Sequence, residues 1–151
     1  MLSLCSATME DAGNLARLNR QLIKDEGSRN PMTEAELGAR MLKLLSEGWR
    51  ADFILREEHV IGYALYQERQ NEYNPDLSVV YLRQFFIVRE ERGHGYGRRG
   101  IELLIEQRFP VDAVLEIDVL VSNSGGQRFW QAMGFRPYST TMKLNRNGVS
   151  R

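Results

Sequence analysis

Residues Arg92-Gly93-His94-Gly95-Tyr96-Gly97-Arg98 put glycine at alternate positions between an apolar run and a helix-patterned segment. The run is Tyr81-Leu82-Arg83-Gln84-Phe85-Phe86-Ile87-Val88, closed by the charged patch Arg89-Glu90-Glu91. Downstream, Ile101, Leu104 and Ile105 recur at helical spacing until Pro110 stops the pattern. Strand, glycine-rich loop and helix together aim main-chain N–H groups at an anion. Glycine lets the backbone approach without a Cβ in the way, and a helix start leaves N–H donors unpaired at the positive end of its dipole. A phosphorylated ligand is therefore expected at Arg92 to Arg98.

One frame of this loop, Gly95-Tyr96-Gly97-Arg98-Arg99-Gly100, spells the dinucleotide pattern G-x-G-x-x-G, and Asp118 follows about twenty residues later. Three features speak against that ligand. Residues Arg89 to His94 separate Val88 from Gly95, where the dinucleotide turn leaves its strand almost directly. Asp118 falls in the middle of the next expected strand, not at its end. Only about fifty residues follow Gly100, too few for the second half of a dinucleotide fold. No G-K-[ST] occurs, so a Walker loop is excluded as well.

The remaining pattern predicts one α/β (α+β) domain over residues 1–144 with a polar tail at 145–151. Strands are expected at Leu2 to Ala7, Ala51 to Arg56, Val60 to Gln67, Tyr81 to Val88, Ala113 to Val121 and Phe135 to Leu144. Helices are expected from Thr8 to about Gly27, from Thr33 to Gly48, from Gly97 to Gln107 and from Ser122 to Met133. Thr33 with Glu36 forms a capping-box signature. The turn Glu57-Glu58-His59 requires antiparallel neighbours, and the helical crossover before Ala113 favours a parallel pair. The sheet should be mixed and mostly antiparallel, with helices on both faces.

Charge narrows the function classes. Twenty basic residues balance twenty acidic ones in 151, for a net charge of +0, which argues against a nucleic-acid binder. Cys5 is the single cysteine, and only His59 and His94 accompany it, so neither an internal disulfide nor a metal site is expected. The start lacks the pattern of a secretion signal, and no apolar stretch nears the ~20 residues that span a bilayer. A cytoplasmic protein with no membrane partner is expected.

Read from Arg92, the loop is R-x-x-G-x-G. This resembles the acetyl-CoA signature Q/R-x-x-G-x-G/A of the GNAT acetyltransferase superfamily. Asn123-Ser124-Gly125-Gly126-Gln127-Arg128-Phe129-Trp130-Gln131-Ala132-Met133-Gly134-Phe135 is similar to that family's N-x-x-A-x-x-F-Y-x-x-x-G-F segment, in the family's order and at its usual separation. The resemblance implies acetyl-CoA as acyl donor, with Gly93, His94, Gly95, Tyr96, Gly97 and Arg98 around its pyrophosphate. It implies that the fourth and fifth strands splay, so that main chain at Phe86, Ile87 and Val88 pairs with the pantetheine arm. A main-chain N–H near Val88 would polarise the thioester, Asn123 would bond the arm, and Trp130 would face the cofactor cleft.

Two positions depart from the family pattern. Gly126 replaces alanine, which opens room near the CoA chain. Trp130 replaces the tyrosine that often protonates the departing thiolate, and an indole N–H is a far poorer acid than a phenol. Tyr81 and Tyr138 are the phenols left as catalytic candidates. Glu26, Glu68 and Glu72 are candidates for the base. His94 is expected to contribute its N–H alone, Cys5 to pack, and His59 to be solvated. The resemblance implies direct N-acetyl transfer to a primary amine of a small molecule or peptide, and a homodimer. The other reading is a CoA-sensing domain without turnover.

Overall fold

The computed structural model describes residues 1–147; of the expected tail, residues 148–151 lie outside the described part. Five strands and four helices follow one another as β1 (Leu2–Ser6), α1 (Ala12–Asp25), α2 (Glu34–Ser46), β2 (Arg50–Arg56), β3 (His59–Gln70), β4 (Ser78–Ile87), α3 (Tyr96–Gln107), β5 (Val114–Ile117) and α4 (Ser124–Ala132). The strands lie side by side in chain order, antiparallel except for the parallel pair β4–β5. The expected mixed sheet is present.

Local chemistry accounts for the ends of these elements. Thr33 and Glu36 exchange hydrogen bonds at the start of α2: the Glu36 N–H donates to Thr33 Oγ1 at 3.2 Å and the Thr33 N–H to Glu36 Oε1 at 2.9 Å. Glu57 and Glu58 turn the β2–β3 hairpin with φ of 49° and 75°, the paired left-handed conformations whose twist matches a two-residue hairpin. Thr8 caps a short 3-10 turn, Met9–Asp11, before α1 proper begins.

Period-two alternation then divides the core. Tyr63, Leu65 and Phe86 face α1 and α2, packing on Leu15, Leu18, Met41 and Leu44. Ala64, Tyr66, Val80 and Leu82 face the other way, against Ile101 and Leu104 of α3, with Phe129 and Trp130 of α4 at the margin. Helices thus cover both faces, as expected.

A buried polar knot fixes the end of α3. Asp52 is 1% exposed; it accepts from Tyr66 Oη at 2.6 Å and from Arg108 Nε at 3.0 Å. Burial and the Asp52 carboxylate push the Tyr66 phenol up. Removing one partner of a buried ion pair leaves the other uncompensated, though solvent still reaches Arg108 and moderates the cost. Asp52→Ala is expected to lower stability by about 2 kcal/mol and the melting temperature by about 4–8 °C, measured by thermal unfolding.

Two expectations are corrected. The strand at Phe135 to Leu144 does not form; these residues are irregular, and Tyr138, Met142 and Leu144 stand 98%, 88% and 87% exposed. Pro137 has no N–H to give a ladder, and β5 offers an edge of only four residues, Val114–Ile117, shorter than the span to Val121 that the pattern suggested.

Candidate functional site

The decisive local feature is a break in β4. Register runs Leu65↔Gln84 and then Tyr66↔Leu82, so Arg83 has no partner on β3. A bulge of this kind bends its strand, while pairing with β3 resumes from Gln84 to Ile87. On the other side, β4 meets β5 only through Val79 to Leu82, the last pair being Leu82↔Ile117. Beyond Leu82 the far edge of β4 has no strand beside it among the described residues.

Which main-chain groups face that edge follows from two contacts. The Val88 N–H donates to the Ile61 carbonyl at 2.8 Å. The Phe86 carbonyl lies against Gly62, where a Cβ would come within 2.0 Å of its oxygen. Phe86 and Val88 therefore turn toward β3, and strand alternation leaves Phe85 and Ile87 with their polar groups on the open edge. The Val88 N–H is thus committed to Ile61, and the N–H near Val88 that faces the gap is that of Ile87.

The loop beyond β4 is held from outside. Arg92 Nε donates to the Ile87 carbonyl at 2.8 Å and its Nη2 to Asp25 at 2.6 Å. Arg89 donates to the other Asp25 oxygen at 2.9 Å. Asp25 thereby clasps the loop to the end of α1. Gly93 and Gly95 take φ of 83° and 79°, the left-handed region that glycine enters without penalty. Gly95 is the residue before α3 and brings no side-chain cap. Its carbonyl accepts from the Arg99 N–H at 3.1 Å, so the N–H groups of Tyr96, Gly97 and Arg98 have no acceptor within the helix. The arrangement is an anion cradle open at a helix start. The His94 ring stacks on Tyr96 at 5.5 Å, and the Arg98 guanidinium donates to the Ala132 carbonyl at 3.0 Å, tying α3 to α4.

Asn123 caps α4: its Oδ1 accepts from the Gly126 N–H at 2.9 Å. A Cβ at Gly126 would lie 2.5 Å from Asn123 Nδ2, so the room that glycine leaves is filled by Asn123 and not kept for a ligand. Trp130 packs among Phe85, Phe129 and Phe135, with ring centroids at 5.8, 4.8 and 5.2 Å.

On the α1–α2 face of the gap the structure gathers groups that the sequence pattern did not connect. Glu26, half-buried just past α1, has its carboxyl raised above the ordinary range by burial. Tyr63 is fully buried, feels the Glu26 and Arg40 charges, and donates to Gln84 Oε1 at 2.7 Å. Tyr81 donates to Asp118 just past β5, and burial together with that bond pushes its phenol up to about 12. Tyr138 is far from this assembly in character, almost wholly exposed. Glu68 and Glu72 are exposed, as are His59 and Cys5. Among the described residues no cluster of His, Cys, Asp and Glu suits a metal ion, and no helix is long and apolar enough to cross a membrane.

The sequence profile of the acetyltransferase (GNAT) family matches residues 20–135. The chain belongs to the GNAT acetyltransferase family. Solved structures agree on the GNAT fold. A predicted acetyltransferase of Clostridium acetobutylicum, solved with acetyl-CoA, superposes with a TM-score of 0.75 at 16% identity, covering 100% of both chains. The BH1408 protein of Bacillus halodurans gives 0.75 at 25% identity over 95% of this chain and 98% of that one. A ribosomal-protein-alanine N-acetyltransferase of Brucella melitensis gives 0.72 at 13% identity over 96% and 99%. No curated protein sequence matches this one. As a GNAT chain, this protein is an acyltransferase.

Proposed function

We propose that this GNAT domain transfers an acetyl group from acetyl-CoA directly to a primary amine of a small molecule or peptide. The observation that carries the reading is the adjacency of two features: unpaired N–H groups at the start of α3, and the open main-chain edge of β4 at Phe85 and Ile87. Bound there, acetyl-CoA would supply a thioester carbonyl that amines attack. The N–H groups of Tyr96, Gly97 and Arg98 hold the pyrophosphate, with about 0.3–2 kcal/mol from the helix dipole. The Ile87 N–H pairs with the pantetheine arm, its carbonyl being held by Arg92, and Asn123 retains Nδ2 as a donor toward the arm.

Glu26 takes the proton from the amine. A carboxylate with a raised pKa is a better base near neutral pH than a solvated one. Tyr81 stays protonated, but its proton already serves Asp118. With the phenol near 12 and a thiol at about 8.5, transfer to sulfur runs uphill. Tyr81 is thus a brace across the apex of the gap and a weak acid.

The cofactor claim is tested by melting. At a hundredfold excess over Kd, acetyl-CoA should stabilise the chain by about 2.7 kcal/mol and raise its melting temperature by about 5–11 °C, while NAD leaves it unchanged. No shift with acetyl-CoA would remove the assignment. The second reading, a CoA sensor without turnover, is favoured by the indole at Trp130, and it gains if CoA binds yet no amine of a broad panel is acetylated.

A further inference from the structure

The amine side of the gap carries cations with no ion-pair partner among the described residues. Arg83 is the extra residue of the β4 bulge, at the point where β4 leaves β5. Its guanidinium lies over the Trp49 ring at 5.2 Å. Arg69 lies over the same ring at 5.6 Å and over Tyr81 at 4.7 Å. Trp49 meets Tyr81 edge-on at 5.9 Å, so the two rings form one wall holding both guanidinium groups. Arg40, on α2, closes the cluster from above the sheet. Its Nε is buried with no hydrogen-bond partner, and burial, together with the Arg83 charge, disfavours its own charge.

Among the described residues no carboxylate lies within ion-pair distance of Arg40, Arg69 or Arg83. Asp118 accepts from Tyr81, and half-buried Glu26 is the base proposed above. Like charges held against one another, one with an orphaned buried donor, mark a place that an external anion completes. Two guanidinium groups also match a carboxylate or phosphate better than any neutral group.

We propose that Arg40 and Arg83, with Arg69 against the Trp49–Tyr81 wall, bind an anionic oxygen group of the acceptor, so that the amine acetylated here carries a carboxylate or a phosphate. This rests on the acetyl-CoA reading, because the subsite lies on the amine side of the gap. The loop cradle and the arginine cluster recognise different molecules, so the subsite can fail while the acetyl-CoA reading stands.

The test uses the intact chain with acetyl-CoA and mass detection of products. One arm compares a mixture of L-amino acids with the matching C-terminal amides; the other compares phosphoethanolamine with ethanolamine. Amides are the more reactive nucleophiles at neutral pH because more of their amine is unprotonated, so a preference for acids runs against chemical bias. At least a tenfold higher kcat/KM is expected for the anionic member of one arm, and the arm that shows it names carboxylate or phosphate. Arg83→Gln should erase the preference by raising KM for the anionic amine, with the acetyl-CoA melting shift intact. Arg83→Lys should restore part of it, and Arg40→Gln should repeat the loss. Equal rates within both arms, a preference for the neutral members, or a melting shift with no anionic amine acetylated each overturn the subsite. Absence of any shift with acetyl-CoA overturns both readings.

Discussion

Gly95→Val lowers the affinity for acetyl-CoA about 100-fold, or about 2.7 kcal/mol, while the unliganded chain loses only a few degrees of melting temperature. The reason is conformational. No atom lies within 4 Å of a Cβ built on Gly95, yet its φ is +79°, a region closed to β-branched residues at a cost of about 1–3 kcal/mol. The chain escapes that strain by rotating the loop. Rotation moves the Gly95 carbonyl off the Arg99 N–H and re-aims the donors at Tyr96, Gly97 and Arg98. Gly95→Asn separates conformation from bulk, because asparagine is larger than glycine but tolerates the left-handed region. It should stay within about tenfold of the native affinity. Calorimetric titration of both variants decides the matter, and an unchanged Kd for the valine variant would take the loop out of the acetyl-CoA site.

That loop was readable because its requirement is local. Alternating glycines ahead of a helical pattern need no knowledge of distant packing, and the same holds for the Thr33–Glu36 box and the Glu57–Glu58 hairpin. Two signals were present in the chain without being decisive. Arg83-Gln84, two polar residues inside an apolar run, breaks period-two alternation where β4 bulges. Pro137 interrupts the last strand-like stretch, where the missing N–H outweighs the β-propensity of its neighbours.

Other features depend on contacts between distant segments. The direction of the Phe86 and Val88 main chain is set by the register against Gly62 and Ile61, and no property of the two residues themselves reveals it. Asn123 and Gly126 match a cofactor motif in sequence, but the helix they start draws Asn123 Oδ1 inward as its cap. Arg40 reaches Arg83 and Tyr63 only because α2 folds back over the sheet. A lone arginine on a helix carries no such message, and Glu26 acquires its burial in the same way. Candidate groups on the proposed acceptor side therefore emerge from tertiary structure, while the proposed donor side is written in contiguous motifs.

Glu26→Gln should lower kcat by about 10²–10⁴-fold and leave the KM for acetyl-CoA unchanged, since the role proposed for Glu26 is toward the amine. The substitution keeps the shape of the side chain and removes only its ability to take a proton. Burial raises the Glu26 carboxyl above about 4.5, so the native rate should fall as pH drops through that raised value, and this acid limb should vanish in the variant. Stability moves in the opposite sense to activity. A carboxyl raised on folding contributes stability that is complete below its unfolded value and is lost as pH rises through its folded one. At neutral pH the buried charge is then a liability, and the glutamine variant should melt at or above the native temperature. Its advantage should disappear near pH 4. Rate and melting measured across pH thus distinguish a lost base from a damaged fold, because damage lowers both. A variant that retains more than a tenth of the native kcat would place the base elsewhere in the gap.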